Sequence, residues 1–397
     1  MRPPYLATKI LPWFLFLCIF AGGALGQQVP ASAPAAEQSA APTANRKGVS
    51  AKPSQQDGGS STDLTQDADK PNLSGAQSVV VKDEKDIPKR KDPDYEDWSK
   101  PELPHGMKTE AVPLLKTEHN GFTRELISVQ WRDLDPIDLW VIKPAGVQNP
   151  PVVLYLYSYP SSNARYKDDQ FCQFVTRNGF AAVGFVSAVT GQRMHDRAMK
   201  DTFVNQLQEA LATSTHDVQM ILNYLGKRGD LDMNRVGIWG DGSGASIAIM
   251  AAAVDSRIKA LDLLDPWGDW PEWLAKSSLV RQDERADLLK PGFLKMVEHL
   301  DPVDYLPQVK TQQVRLQYIQ NGLTVTPEVV EKKMEAAAPS NVSLVYYENT
   351  QQFLADVASK GTGFDWIKER LGSVVAAHPS GAQNVTSPLG EDRSSAR

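Results

Sequence analysis

Residues Val236 to Met250 read VGIWGDGSGASIAIM. A short apolar run meets Gly240, Gly242 and Gly244, spaced two apart, and then a segment of small apolar residues. Glycine reaches backbone conformations closed to other residues, and three of them this close allow an abrupt reversal. The stretch predicts a strand, a very tight turn and a helix. In a sheet built from such units the turn lies at the carboxyl end of a strand, where ligands bind.

Working outward, the segment before this turn predicts a long helix over about 203–227. Val204, Leu207, Leu211, Val218, Ile221, Leu222 and Leu225 fall mostly on one of its faces. Upstream, FTRELISVQW (122–131) and DLWVIKP (138–144) predict an antiparallel pair opening the sheet. PVVLYLYSYP (151–160) is a nearly continuous apolar run of strand length, as expected for a strand buried on both faces. A helix is expected over 167–178 and a strand over 180–187. Downstream, IKALDLLDP (258–266) is a strand, and a tryptophan-rich helical insertion, the expected cap, follows over about 267–309. VRLQYIQ (314–320) and VSLVYYE (342–348) are the last strands, each followed by a helix. Strands alternating with helices predict an α/β fold, with a mostly parallel central sheet covered by helices on both faces.

The chain has 397 residues, a formal charge of −6 and 41% hydrophobic residues. No clustered basic face marks a nucleic-acid surface. The first 26 residues combine Arg2 and Lys9 with an apolar run from Ile10 to Phe20 and the small residues Ala24-Leu25-Gly26. This pattern predicts a secretory signal cleaved near Gly26, so the expected location is periplasmic or secreted. The run is short for a spanning helix, so membrane contact is expected only in transit. Residues 27–102 are rich in Pro, Ala, Ser and Gln and then in mixed charge, which predicts a disordered linker; 376–397 reads as a similar tail. That leaves 103–375 as the folded domain. Cys172 is the one cysteine beyond the signal, so no internal disulfide is expected. Neither a metal nor a cofactor is predicted, because His, Cys and Asp lack ligand spacing.

The order of these segments, with RVGIWGDGSGA, VVLYLYSYP, VRLQYIQNGLTVTPE and VSLVYYENTQQF in sequence, resembles the α/β-hydrolase fold. The likeness is to its dienelactone-hydrolase, acetyl-esterase and prolyl-oligopeptidase relatives, and covers about residues 122–372. The resemblance implies a G-x-S-x-G elbow, with a serine nucleophile between the glycines. Aligning Gly240 and Gly244 with that pattern places Gly242 in the nucleophile slot and Ser243 one residue late. The slots implied for the acid are Asn321, Gly322 and Leu323, and the slot for the histidine is Gln351, two before Phe353. No histidine occurs between His299 and His378. Where relatives carry His-Gly beside the oxyanion site, this chain has Tyr157-Ser158. Without a base the serine hydroxyl stays protonated and weakly nucleophilic. The expectation is a hydrolase scaffold that binds a small molecule or a protein of unknown identity without catalysing.

Other residues bear on the same cleft. Asp265 is either an alternative acid or the cap of the turn into Pro266. The loop 190–197 should border the cleft and carries His195, a ligand contact or an idle surface residue. His216, beside Asp217 in the long helix, reads as structural. Trp267, Trp270 and Trp273 either line an apolar pocket or pack the insertion. Asp241 beside the helix start weakens any anion site there. Two rival functions follow. One is an active serine esterase or peptidase using Ser243, with His195 as base. The other is a dinucleotide site, since Gly240, Gly242 and Ala245 fit G-x-G-x-x-A with Asp262 or Asp265 downstream. Against the latter, that fingerprint normally opens the first βαβ unit, and about four strands precede it here.

Overall fold

Strands whose successive side chains alternate between faces need cover on both sides, and the helices between them supply it. A computed structural model of the chain describes residues 96–103, 107–133, 135–194, 203–311, 313–322, 326–360 and 362–372. All of these belong to one unit; a second unit, Leu25–Asp92, lies outside the described residues, as do the expected signal and tail.

The described strands are β1 (Glu110–His119), β2 (Phe122–Gln130), β3 (Ile137–Pro144), β4 (Pro151–Leu156), β5 (Ala181–Gly184), β6 (Asp232–Asp241), β7 (Ile258–Leu264), β8 (Val314–Asn321) and β9 (Ser343–Asn349). They form one sheet in the order β1-β2-β3-β5-β4-β6-β7-β8-β9. The pairs β1/β2, β2/β3 and β3/β5 are antiparallel, and the others are parallel. The described helices are α1 (Asp169–Thr176), α2 (Leu207–Arg228), α3 (Ser243–Val254), α4 (Trp270–Lys276), α5 (Arg285–Leu288), α6 (Pro291–Val297), α7 (Pro302–Tyr305), α8 (Glu328–Ala337), α9 (Thr350–Lys360) and α10 (Thr362–Leu371). None is long and apolar enough to cross a membrane.

Alternation along the central strands divides the core. Val152, Leu154, Leu156, Ile238 and Leu261 pack with Leu207, Leu211 and Ile247 of α2 and α3 on one face. Val153, Tyr155, Trp239 and Ala260 pack with Phe171, Val357 and Ile367 of α1, α9 and α10 on the other. All of β4 is buried, as its continuous apolar run requires.

Several expectations are corrected. The sheet opens with β1, an edge strand interrupted by Pro113 and by a register shift between Pro113 and Leu115, so it shows no apolar alternation. The long helix begins at Leu207 rather than Phe203. The chain also packs on the domain before residue 103: Leu103 donates to Gln219 Oε1 (3.1 Å), Gln219 donates to the Pro101 carbonyl (2.7 Å), and Glu96 meets Arg132 and His216. Residues 96–102 were expected in the linker because their charged composition hides these partners, which lie 36 or more positions away.

Candidate functional site

The turn after β6 carries the sharpest backbone feature near the strand ends. Gly242 sits at φ 53°, ψ −117°, and its N–H donates to the Leu264 carbonyl (2.9 Å). A non-glycine residue held there pays about 1–3 kcal/mol in strain. Gly244, in the first turn of α3, lies so close to β4 that a Cβ would overlap the Leu156 carbonyl. At Gly242 a Cβ would overlap the Ser158 hydroxyl, stand 2.8 Å from Ser158 Cβ and 3.0 Å from Trp267 Nε1. The volume that a side chain at the turn would enter is therefore filled from two directions.

The polar groups around it are satisfied among themselves. Ser243 N–H points to Ser158 Oγ (3.4 Å), and Ser243 Oγ accepts from the Tyr159 N–H (2.9 Å). These are the kinds of backbone donors that would otherwise face a developing oxyanion. Ser243 is fully buried; Tyr159, whose N–H it accepts from, stacks on Phe203 (5.0 Å), and Phe203 is set edge-on to Trp267 (6.2 Å). Ser246 fixes the start of the insertion by donating to the Trp267 carbonyl (2.8 Å) and accepting from its N–H (3.0 Å). Trp267, Trp270 and Trp273 are each at most 2% exposed, so they are packing residues and line no open pocket. A Ser243→Ala variant strands the Tyr159 N–H, and should lose about 1–3 kcal/mol in urea unfolding.

No described imidazole reaches this turn. His119 contacts Thr117, Arg124 and Asp169; His216 contacts Glu96 and the Lys100 carbonyl; His299 is exposed beside Glu298. His195 lies outside the described residues. Asn321 Nδ2 donates to the Glu348 carbonyl (2.9 Å), tying β8 to β9, and Gly322 is an exposed bend; Leu323 is outside the described residues. Strand β9 runs directly into α9, whose start is capped by Asn349 accepting from the Gln352 N–H (3.0 Å), leaving Gln351 exposed on the first turn.

The carboxylates near the strand ends are also placed. Asp265 stands at φ 45° and accepts from the Ile319 N–H (3.0 Å), so it ties β7 to β8 instead of capping the turn into Pro266. Burial pushes its carboxyl well above the ordinary value despite that bond. Asp241 is half-buried, and burial raises its carboxyl to about 6 against the opposing charge of Arg165 and the Ser158 N–H. Arg165 stacks 3.2 Å over the Tyr157 ring, and its Nη1 is shielded from water without an acceptor. Asp262 accepts from Arg315 (2.8 and 2.6 Å) and Gln317 (2.7 Å) inside the sheet. The two acidic residues of the dinucleotide reading are thus engaged by protein groups, which removes its second requirement. Burial pushes the Cys172 thiol up to about 12, so it is no nucleophile. Among the described residues no His, Cys, Asp or Glu cluster is arranged to hold a metal ion.

The bond from Tyr159 to the turn escaped the sequence, as did Ser158 filling the slot. These depend on loops meeting across 84 positions of chain. The one available signal was a hydroxyl residue directly after the buried run of β4.

Comparison with solved structures places this arrangement in the α/β-hydrolase fold. An acetyl xylan esterase from a Thermoanaerobacterium species is similar over 64% of this chain and 88% of its own, at TM-score 0.50 and 14% identity. An S-formylglutathione hydrolase from Agrobacterium tumefaciens is similar over 66% and 99%, at TM-score 0.50 and 15% identity. No family model matches the sequence, and no curated protein does. The shared property is the fold, and the chain has it.

Proposed function

We propose that this chain is a non-catalytic member of the hydrolase fold, an exported pseudo-hydrolase that binds or scaffolds a small molecule or protein. The observation carrying this reading is the filled slot at Gly242. Where a nucleophile's side chain would stand, the Ser158 hydroxyl and Trp267 indole already stand. The adjacent Ser243 hydroxyl is buried and accepts from a backbone amide, with no described imidazole or carboxylate as its base. Acyl transfer needs nucleophile, base and open oxyanion donors at one point, and the described residues do not assemble them. The half-buried Asp241 at the end of β6 offers a polar contact to a ligand instead.

The full chain treated with a fluorophosphonate probe should show no covalent label, and should not turn over p-nitrophenyl acetate above buffer. Labelling that disappears in Ser243→Ala would overturn the reading in favour of an active serine esterase.

A further inference from the structure

The sheet ends in two edge strands, β1 and β9, and they differ. Strand β1 is guarded: Pro113 has no N–H to donate, and the register shift between Pro113 and Leu115 breaks the line of the strand. Strand β9 carries neither device. Its sequence, SLVYYEN, holds no proline and one charged residue, Glu348. Leu344 is 41% exposed and Tyr346 48%, although Tyr346 stacks on the buried Tyr318 (5.8 Å).

The ladder shows which main-chain groups of β9 face outward. On β8 the Ile319 N–H donates to Asp265, and the Gln317 carbonyl accepts from the Asp265 N–H, so the odd-numbered residues bond toward β7. Leu316 and Tyr318 therefore bond toward β9. In a parallel ladder a residue bonds to the two neighbours of its opposite number, and the opposite number itself points away. Leu344 and Tyr346 stand opposite Leu316 and Tyr318. Their N–H and C=O groups thus face away from the sheet, and among the described residues nothing bonds to them. The residues on either side are engaged already. Glu348 donates its N–H to Gln352 and accepts from Asn321 at its carbonyl (2.9 Å), and Val342 donates to the Pro339 carbonyl (2.9 Å).

We propose that β9 pairs antiparallel with β9 of a second copy of this chain, about a two-fold axis through Val345, joining the two sheets into one. The axis follows from the outward groups. With Val345 opposite its own counterpart, Leu344 lies opposite the second copy's Tyr346, and the reverse. Each of these two pairs exchanges two N–H···O=C bonds, so the outward groups of both residues in both copies are all used. An axis at Tyr346 sets Leu344 against Glu348, whose groups are taken. An axis at Leu344 sets Tyr346 against Val342, whose N–H is taken. The side chains agree. Tyr346 stacks on Tyr318, which belongs to the core face of Val330 and Met334 of α8, and Leu344 shares that face; Val345 and Tyr347 pack on the other. Each exposed Leu344 is therefore covered by the opposite Tyr346. A two-fold contact requires this kind of self-complementary patch. A single strand pair buries less than the about 1,200 Å² of a standard interface, so association is weak and depends on concentration.

Sedimentation velocity of the full chain tests this. Between about 1 and 100 µM the monomer should give way to a species of twice its mass. Leu344→Lys and Tyr346→Pro should each weaken association about tenfold or more, while Val112→Lys on β1 leaves it unchanged. A cross-link reads the axis without relying on affinity. Opposite residues in a non-hydrogen-bonded antiparallel pair stand about 4.5 Å apart at Cα, within disulfide reach. Val345→Cys should therefore give a linked dimer under mild oxidation. Ser343→Cys, two positions off the axis, should not, and neither should the unaltered chain. A chain that stays monomeric at about 100 µM, a dimer as tight in Leu344→Lys, or one lost equally in Val112→Lys would overturn the proposal. So would oxidation that fails to link Val345→Cys or links Ser343→Cys as well.

Discussion

Arg193→Met should lower the unfolding free energy of the domain by about 3–5 kcal/mol at pH 7, measured by urea denaturation. The methionine roughly keeps the volume, so cavity formation contributes little. What changes is charge. Arg193 is 3% exposed, and removing it takes from Asp135 and Asp217 one of the two guanidinium groups that pair with both. The Val186 carbonyl loses its donor as well. A buried carboxylate deprived of its partner costs far more than the pair itself contributed, because solvent cannot replace the guanidinium.

The pH dependence distinguishes this cause from poor packing. In the unaltered chain burial pushes the Asp135 carboxyl up, but bonds from Arg193 and Arg132 hold it at about 2, below the ordinary 3.8. That contribution is complete above the unfolded value and is lost as pH falls through 2. In Arg193→Met the Asp135 carboxyl takes up a proton more readily, so the deficit against the unaltered chain should shrink between pH 7 and 4. A deficit of equal size at both pH values would mean that packing, and not unpaired charge, is what the substitution removes.

How far the sequence anticipates the structure depends on how local the cause is. The turn at Gly242 is legible because three glycines in five residues leave the backbone few alternatives, and the observed positive φ is one that glycine adopts freely. The central strands are legible because burial on both faces writes a continuous apolar run, as in Pro151–Leu156. Strand β1 is not, since Val112, Leu114 and Leu115 are 46–58% exposed on a sheet edge, where burial imposes no period. The ion set around Arg193 is illegible for another reason. Its members Glu96, Arg132, Asp135, Arg193 and Asp217 come from four separate segments, and each alone reads as an ordinary surface charge. Asp265 shows the intermediate case. Its position at the end of β7 is visible in IKALDLLDP, but its partner, the Ile319 N–H, lies 54 residues on.

Gly242→Ser tests the site most directly, because it writes back the side chain that the elbow motif demands. The expected result is loss of stability without gain of esterase activity. A serine Cβ must share space with the Ser158 hydroxyl and approach the Trp267 indole, an overpacking that costs about 1–3 kcal/mol. The left-handed backbone adds about 1–3 kcal/mol for a non-glycine residue. Together the unfolding free energy should fall by about 2–6 kcal/mol. Adding Ser158→Gly vacates the overlapped position, so the double variant should recover the overpacking part and keep the backbone part. It also frees the Ser243 N–H from its hydroxyl acceptor. Even so, p-nitrophenyl acetate turnover should stay at the buffer rate in both variants. The new hydroxyl would meet Ser158 and Trp267, and no described imidazole reaches the turn to take its proton. Turnover a hundredfold above buffer in the double variant would show that a base does reach the turn.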